Sequence, residues 1–109
     1  MDQGQKDIIP YINKDFSIEL SHHISEDELA FALAEHINDM IVHNLPKLIQ
    51  LLYRIDISEK KLKEMLAQHK NYEAGMIIAR MVIDRQKEKA KSREKFKQDF
   101  PGELNEELW

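Results

Sequence analysis

From Leu29 onward, apolar residues recur at spacings of three and four, the pattern of helices that turn one face to a core. Leu29, Leu33, Ile37, Met40 and Ile41 share one face of a helix expected from Glu26 to His43. Ser25 followed by Glu28 forms a capping box at its start, where serine oxygen and glutamate each satisfy a free amide. A second helix carries Leu48, Ile49, Leu52 and Ile55 as its buried stripe. Asn44 is its expected cap, and Pro46 is tolerated in its first turn. Ser58, next to Glu59, starts a third helix with Leu62, Met65 and Leu66. A fourth and longer helix is expected from Tyr72 to Gln98, capped by Asn71. Asp99-Phe100-Pro101-Gly102 stops it, because proline disfavours helix in the residue before it and glycine frees the chain to turn.

The front of the chain reads differently. Phe16, Ile18 and Leu20 alternate with Ser17, Glu19 and Ser21, a period of two that suits an extended arm or a short strand. The expected architecture is therefore all-α: a four-helix bundle-like domain with a long C-terminal helix and an N-terminal extended arm. Residues 1–24 form the arm, 25–98 the helical domain and 99–109 an acidic tail ending on Trp109, the one tryptophan.

The last helix shows more apolar surface than one face can use. Ala74, Ile77, Ile78, Met81 and Val82 cluster on one side, and Met76, Ala79 and Ile83 lie opposite. In the first helix Phe31 and Val42 also lie opposite the main stripe. A helix apolar on two faces is normally covered on both. One reading makes Phe31, Val42, Met76, Ala79 and Ile83 an interface between copies, and so expects a homodimer. The other has Ile8, Ile9, Tyr11, Phe16 and Ile18 of the arm cover these patches within one chain.

Composition narrows the function. The 109 residues make one domain with a thin core. Net charge is −4, unlike a general binder of nucleic acid or anionic membrane. Cysteine is absent, which removes disulfides and thiolate chemistry. The opening MDQGQKDIIPYINKD has neither the basic nor the apolar region of a secretory signal, and no apolar run suffices to cross a bilayer. A cytoplasmic location is expected.

One run departs from the acidic balance. RQKEKAKSREKFK places Arg85, Lys87, Lys89, Lys91, Arg93, Lys95 and Lys97 at every second position. Residues two apart on a helix differ by about 200°, so the bases scatter to both sides instead of forming one stripe. Glu88 and Glu94 can pair with bases three residues away, and cations suit a helix C-terminus. The run reads as a solvated helix end; a weak, nonspecific nucleic-acid arm is the alternative.

Catalytic motifs are missing: there is no nucleophile elbow and no glycine-rich phosphate loop. The nearest to a site is EHINDMIVH, where His36, Asp39 and His43 lie on one flank with ligand chemistry suited to zinc or iron. Its spacing matches neither the H-E-x-x-H helix nor the E-x-x-H pairs of di-iron bundles, so a metal-dependent enzyme ranks third. Neither catalytic residues nor a cofactor are expected. The leading expectation is a non-enzymatic helical interaction module with a protein partner, foremost a second copy.

Overall fold

Ile8, Ile9, Ile12 and Phe16 lie at the spacing of one helical face, and in the computed structural model they form one. The structure describes the backbone of residues 3–69 and 73–99 and the side chains of residues 8–69 and 73–95. Among these residues the chain is all-helical: α1 (Gln3–Phe16), α2 (Glu26–His43), α3 (Leu45–Ile55), α4 (Glu59–Gln68) and α5 (Ala74–Asp99). The helical, bundle-like architecture with a long last helix is thus present. The front of the chain is corrected, because residues 3–16 are helical and not extended. Pro10 inside α1 removes a backbone donor and crowds the preceding turn, costing roughly 3 kcal/mol. Burying Ile8, Ile9, Ile12 and Phe16 is worth on the order of 1.5–3 kcal/mol for each side chain and outweighs it.

The alternation noticed at Phe16, Ile18 and Leu20 belongs to the link after α1. Ser17 adopts a left-handed φ of 56°, and the Ile18 amide donates to the Asn13 carbonyl at 3.0 Å, closing the helix with a Schellman turn. The Asn13 side chain then takes both backbone groups of Leu20, accepting from its amide at 2.8 Å and donating to its carbonyl at 3.1 Å. That pinning lets Ile18, Leu20 and Ile24 pack against the core.

α2 begins as expected. The Glu28 amide donates to Ser25 Oγ at 3.1 Å, and the Ser25 amide donates to Glu28 Oε1 at 2.9 Å. These bonds hold the Glu28 carboxyl below its ordinary value, the Ser25 amide contributing most. A carboxylate with a depressed folded pKa stabilises the fold above its unfolded pKa, and the benefit is lost as pH falls through the folded value. Ser25→Ala removes the hydroxyl cap of the Glu28 amide and should cost about 1 kcal/mol near neutral pH, while most of the acid-side slope remains because the Ser25 amide stays in place. Urea unfolding from neutral pH into the acid range measures both effects; a variant as stable as the unaltered chain near neutral pH would show that the hydroxyl cap does not form.

The second expected cap is corrected. Asn44 precedes α3 but makes no side-chain capping bond, and Pro46 in the first turn supplies the start instead. α3 ends at Asp56, whose left-handed φ of 72° accompanies a bond from the Ile57 amide to the Leu52 carbonyl at 3.0 Å. Ser58 caps α4 by accepting from the Lys61 amide at 3.2 Å. The proposed cap Asn71 lies outside the described residues, as does the tail beyond Asp99.

α5 is the central helix and packs against all four others, most extensively against α2. It runs antiparallel to α2, since the start of α2 meets Arg80 and Lys87 while Asn38 meets Glu73 and Gly75. α1 covers the more C-terminal part, where Gln86, itself buried, donates to Asp15 at 3.0 Å. Where the helices cross, the Gly75 amide donates to Asn38 Oδ1 at 3.0 Å, and Asn38 Nδ2 donates to Glu73 Oε2 at 2.9 Å. Asn38 thus satisfies an amide in the first turn of α5 from across the interface, a cap supplied by another helix.

Candidate functional site

The five residues read as an interface separate into two groups. Ala79 is 0% and Ile83 1% exposed, and Met76 is half-buried against the core. The second stripe of α5 is therefore covered within the chain, because the front of the chain is a fifth helix that adds to α5's surroundings. Ala79 and Ile83 are corrected accordingly: neither is accessible to a second copy in this fold. Phe31 and Val42 stay at the surface, at 66% and 75% exposure. Phe31 stands over an open depression on the flank of α2, lined by Asp27, Glu28, Ala32 and Glu35.

Three of the six described side chains of the basic run, Arg85, Lys87 and Arg93, have partners inside the molecule. Arg85 reaches Asp56 at 3.1 Å and Glu88 at 3.7 Å, and Lys87 pairs with Glu26. Arg93 lies over the Tyr11 ring, 3.9 Å from its centroid, as a cation–π contact worth about 0.5–1 kcal/mol at an exposed site. Lys89 is half-buried; desolvation, and then the nearby Arg85, lower its ammonium below the ordinary lysine value. Lys91 and Lys95 are exposed, and the Lys97 side chain lies outside the described residues. These partly exposed pairs contribute under about 1 kcal/mol each. Their arrangement stitches α5 to α1, α2 and the α3–α4 turn.

His36, Asp39 and His43 are placed apart in role. The His36 ring meets Phe16 edge-on, with centroids 6.2 Å apart. His43 Nδ1 lies 3.0 Å from Asp39 Oδ1 and 3.1 Å from the Asp39 carbonyl oxygen. Among the described residues no group of three or more such side chains is arranged to hold a metal ion. Glu64 and His69 of the α4 region do not complete one.

A second unfilled surface lies on α3 and α4. The core face of α3 is Leu48, Leu51, Leu52 and Ile55, so Ile49, expected in the buried stripe, is corrected to a surface position. Leu45, Ile49 and Tyr53, four residues apart, form an outer flank with exposures of 46%, 46% and 66%. This flank opens into a groove of about 200 Å³ whose walls include Leu52, Ile57, Leu62 and Leu66. Its rim is polar: Glu59 pairs with Lys63 at 3.3 Å and accepts from the Tyr53 hydroxyl at 3.5 Å. α4 contributes no fully buried residue, so one side of the groove is a helix held mainly by its edge.

The groove's walls are mainly apolar, and its polar lining groups, the Tyr53 hydroxyl, Glu59 and Lys63, engage one another at the rim. The sequence held one signal for it, since Leu45, Ile49 and Tyr53 add a second apolar row to a helix that already has four core residues. No helix among the described residues is long and apolar enough to cross a membrane. No protein-family model, curated protein or solved structure matches the chain.

Proposed function

We propose that this chain is a non-enzymatic helical interaction module that docks a protein partner on the outer surface of α3 and α4. The observation that carries this reading is the row Leu45, Ile49 and Tyr53, three large apolar side chains left in water beside an apolar groove. Contiguous exposed apolar surface rimmed by polar groups is characteristic of protein contact sites. The foremost partner is a second copy. Two α3 flanks related by a twofold axis would cover each other's Leu45 and Ile49, and a twofold interface needs only one self-complementary patch. The expected cytoplasmic location belongs to this reading too and rests on the cysteine-free composition together with the lack of secretory-signal features in the opening residues and of a bilayer-length apolar run.

Light scattering across low to high micromolar protein tests the self-association. The mass should rise toward that of a dimer, and Leu45→Glu should hold the chain at monomer mass with its helical circular dichroism intact. Leu45 lies outside the groove walls and outside the core, so its substitution leaves the fold in place. A monomer at every concentration would remove the second copy as partner.

A further inference from the structure

We propose that the outer face of α2 docks a basic amphipathic helix of another protein, with Phe31 and Val42 as apolar anchors and Glu28, Glu35 and Asp39 as charge partners. This surface is separate from α3 and α4, so the proposal stands apart from the docking reading made for the groove.

The face follows from helical spacing. At about 100° per residue, Glu28, Phe31, Ala32, Glu35, Asp39 and Val42 fall within one sector of about 100°. The buried residues Leu29, Leu33, Ile37 and Met40 occupy the opposite side. All six outer residues are exposed except Ala32, which is half-buried. From Glu28 to Val42 the stripe runs about 21 Å along the axis, and Phe31 and Val42 stand about three turns apart. A straight row of that length fits a second helix laid beside α2. The depression under Phe31, about 370 Å³ and open to water, admits side chains of such a helix and encloses no small molecule.

Charge names the occupant. α2 contains no lysine or arginine. Its first acids are answered within the chain, Glu26 by Lys87 and Asp27 by Arg80. Glu28, Glu35 and Asp39 meet no lysine or arginine among the described residues. The Glu28 carboxyl accepts from the Ser25 amide, which favours its charged form, and Asp39 meets the His43 ring. An acidic face repels anionic lipid and nucleic-acid phosphate. It also repels its own copy. Glu35 is the midpoint of the stripe, so a twofold pairing of two such faces sets one Glu35 carboxylate against the other, a like-charge contact.

A basic amphipathic helix answers both parts of the face at once. Its apolar seam covers Phe31 and Val42 while lysines or arginines on the flanks reach the three carboxylates. An arginine can also lie on the exposed Phe31 ring. Amphipathic helices read through apolar anchors at helical spacing are a recurrent recognition mode.

The probe is a fluorescein-labelled synthetic peptide of about five helical turns, with leucines along one face and lysines on its flanks. In fluorescence anisotropy at low ionic strength it should bind the full chain, and binding should weaken as salt screens the contact. Glu35→Lys should weaken binding about tenfold, and Phe31→Ala should weaken it several-fold. Glu64→Lys, an equal change of net charge at an exposed position of α4, should leave it within about twofold. A matched peptide with glutamates in place of lysines should not bind. Circular dichroism should be alike for all variants, since each substituted residue is exposed. No binding of the lysine peptide at about 100 μM chain and low salt overturns the proposal. So does equal weakening by Glu35→Lys and Glu64→Lys, which would mark diffuse attraction between a cationic peptide and an acidic chain. Self-association lost in Phe31→Ala but kept in Leu45→Glu would assign the face to a second copy and overturns it as well.

Discussion

Gly75→Ala is expected to destabilise the fold by about 2–4 kcal/mol, combining overpacking at a helix crossing with disruption of a part-buried hydrogen bond. A β-carbon at this position would lie 2.3 Å from Asn38 Oδ1, 2.5 Å from its Cγ and 2.7 Å from the Ala34 carbonyl oxygen. The amide of Asn38 can rotate away, but only by releasing the Gly75 and Glu73 bonds it makes. The Ala34 oxygen is helix backbone and cannot yield without moving α2. Helix propensity alone argues the opposite sign, since alanine is favoured over glycine by about 1 kcal/mol in a helix. The sign therefore separates the two effects. Urea unfolding of the variant decides it: a gain in stability would mean that α2 and α5 do not approach this closely. Adding Asn38→Ala should recover little, because the backbone oxygen remains in the way.

Ile83→Glu is expected to abolish folding, with a cost beyond about 4 kcal/mol for an unpaired carboxylate forced into an apolar interior. Ile83 is among the fully buried side chains, on a helix enclosed by the other four. Were Ile83 at a contact between copies, the variant would instead be a well-folded monomer. Circular dichroism with light scattering distinguishes the outcomes, and a soluble helical monomer would refute the packing described for α5. Two companion variants calibrate the result. Ile83→Ala, which removes volume without adding charge, should cost about 2–4 kcal/mol and keep the fold. Phe31→Glu, at a mostly exposed position, should change stability by no more than about 0.5 kcal/mol.

These two positions show where reading along the chain succeeds and where it stops. The periodicity of α5 correctly marks Ile83 as an apolar position on a second face, yet periodicity does not name what covers a face. The cover depends in part on whether the front of the chain is a helix. The alternation of Phe16, Ile18 and Leu20 points away from that, although Ile8, Ile12 and Phe16 already hold the four-residue spacing. The basic run divides similarly. The scatter of its bases to two sides is legible from residue spacing, whereas Asp56, Glu26 and Tyr11 as partners of Arg85, Lys87 and Arg93 are not. The apolar flank of α3 is half legible: Leu45, Ile49 and Tyr53 recur every four residues, yet reading along the chain assigns Ile49 to the buried stripe and passes over the other two.

What the sequence determined by itself was local: helical character from Leu29 onward, the capping box at Ser25 and Glu28, the Ser58 cap, and a long last helix. Each depends on residues within about one turn of one another, so short-range hydrogen bonding and periodicity suffice. Only the tertiary structure decided that α1 forms despite Pro10, that Ile83 is interior while Ile49 is not, and that Asn38 caps a helix other than its own. Those outcomes depend on contacts such as Asn38 with Gly75 and Asp15 with Gln86, separated by 37 and 71 positions along the chain. Burial is a property of such pairs. It is won or lost when distant helices exclude water from each other, and no window of neighbouring residues contains that information.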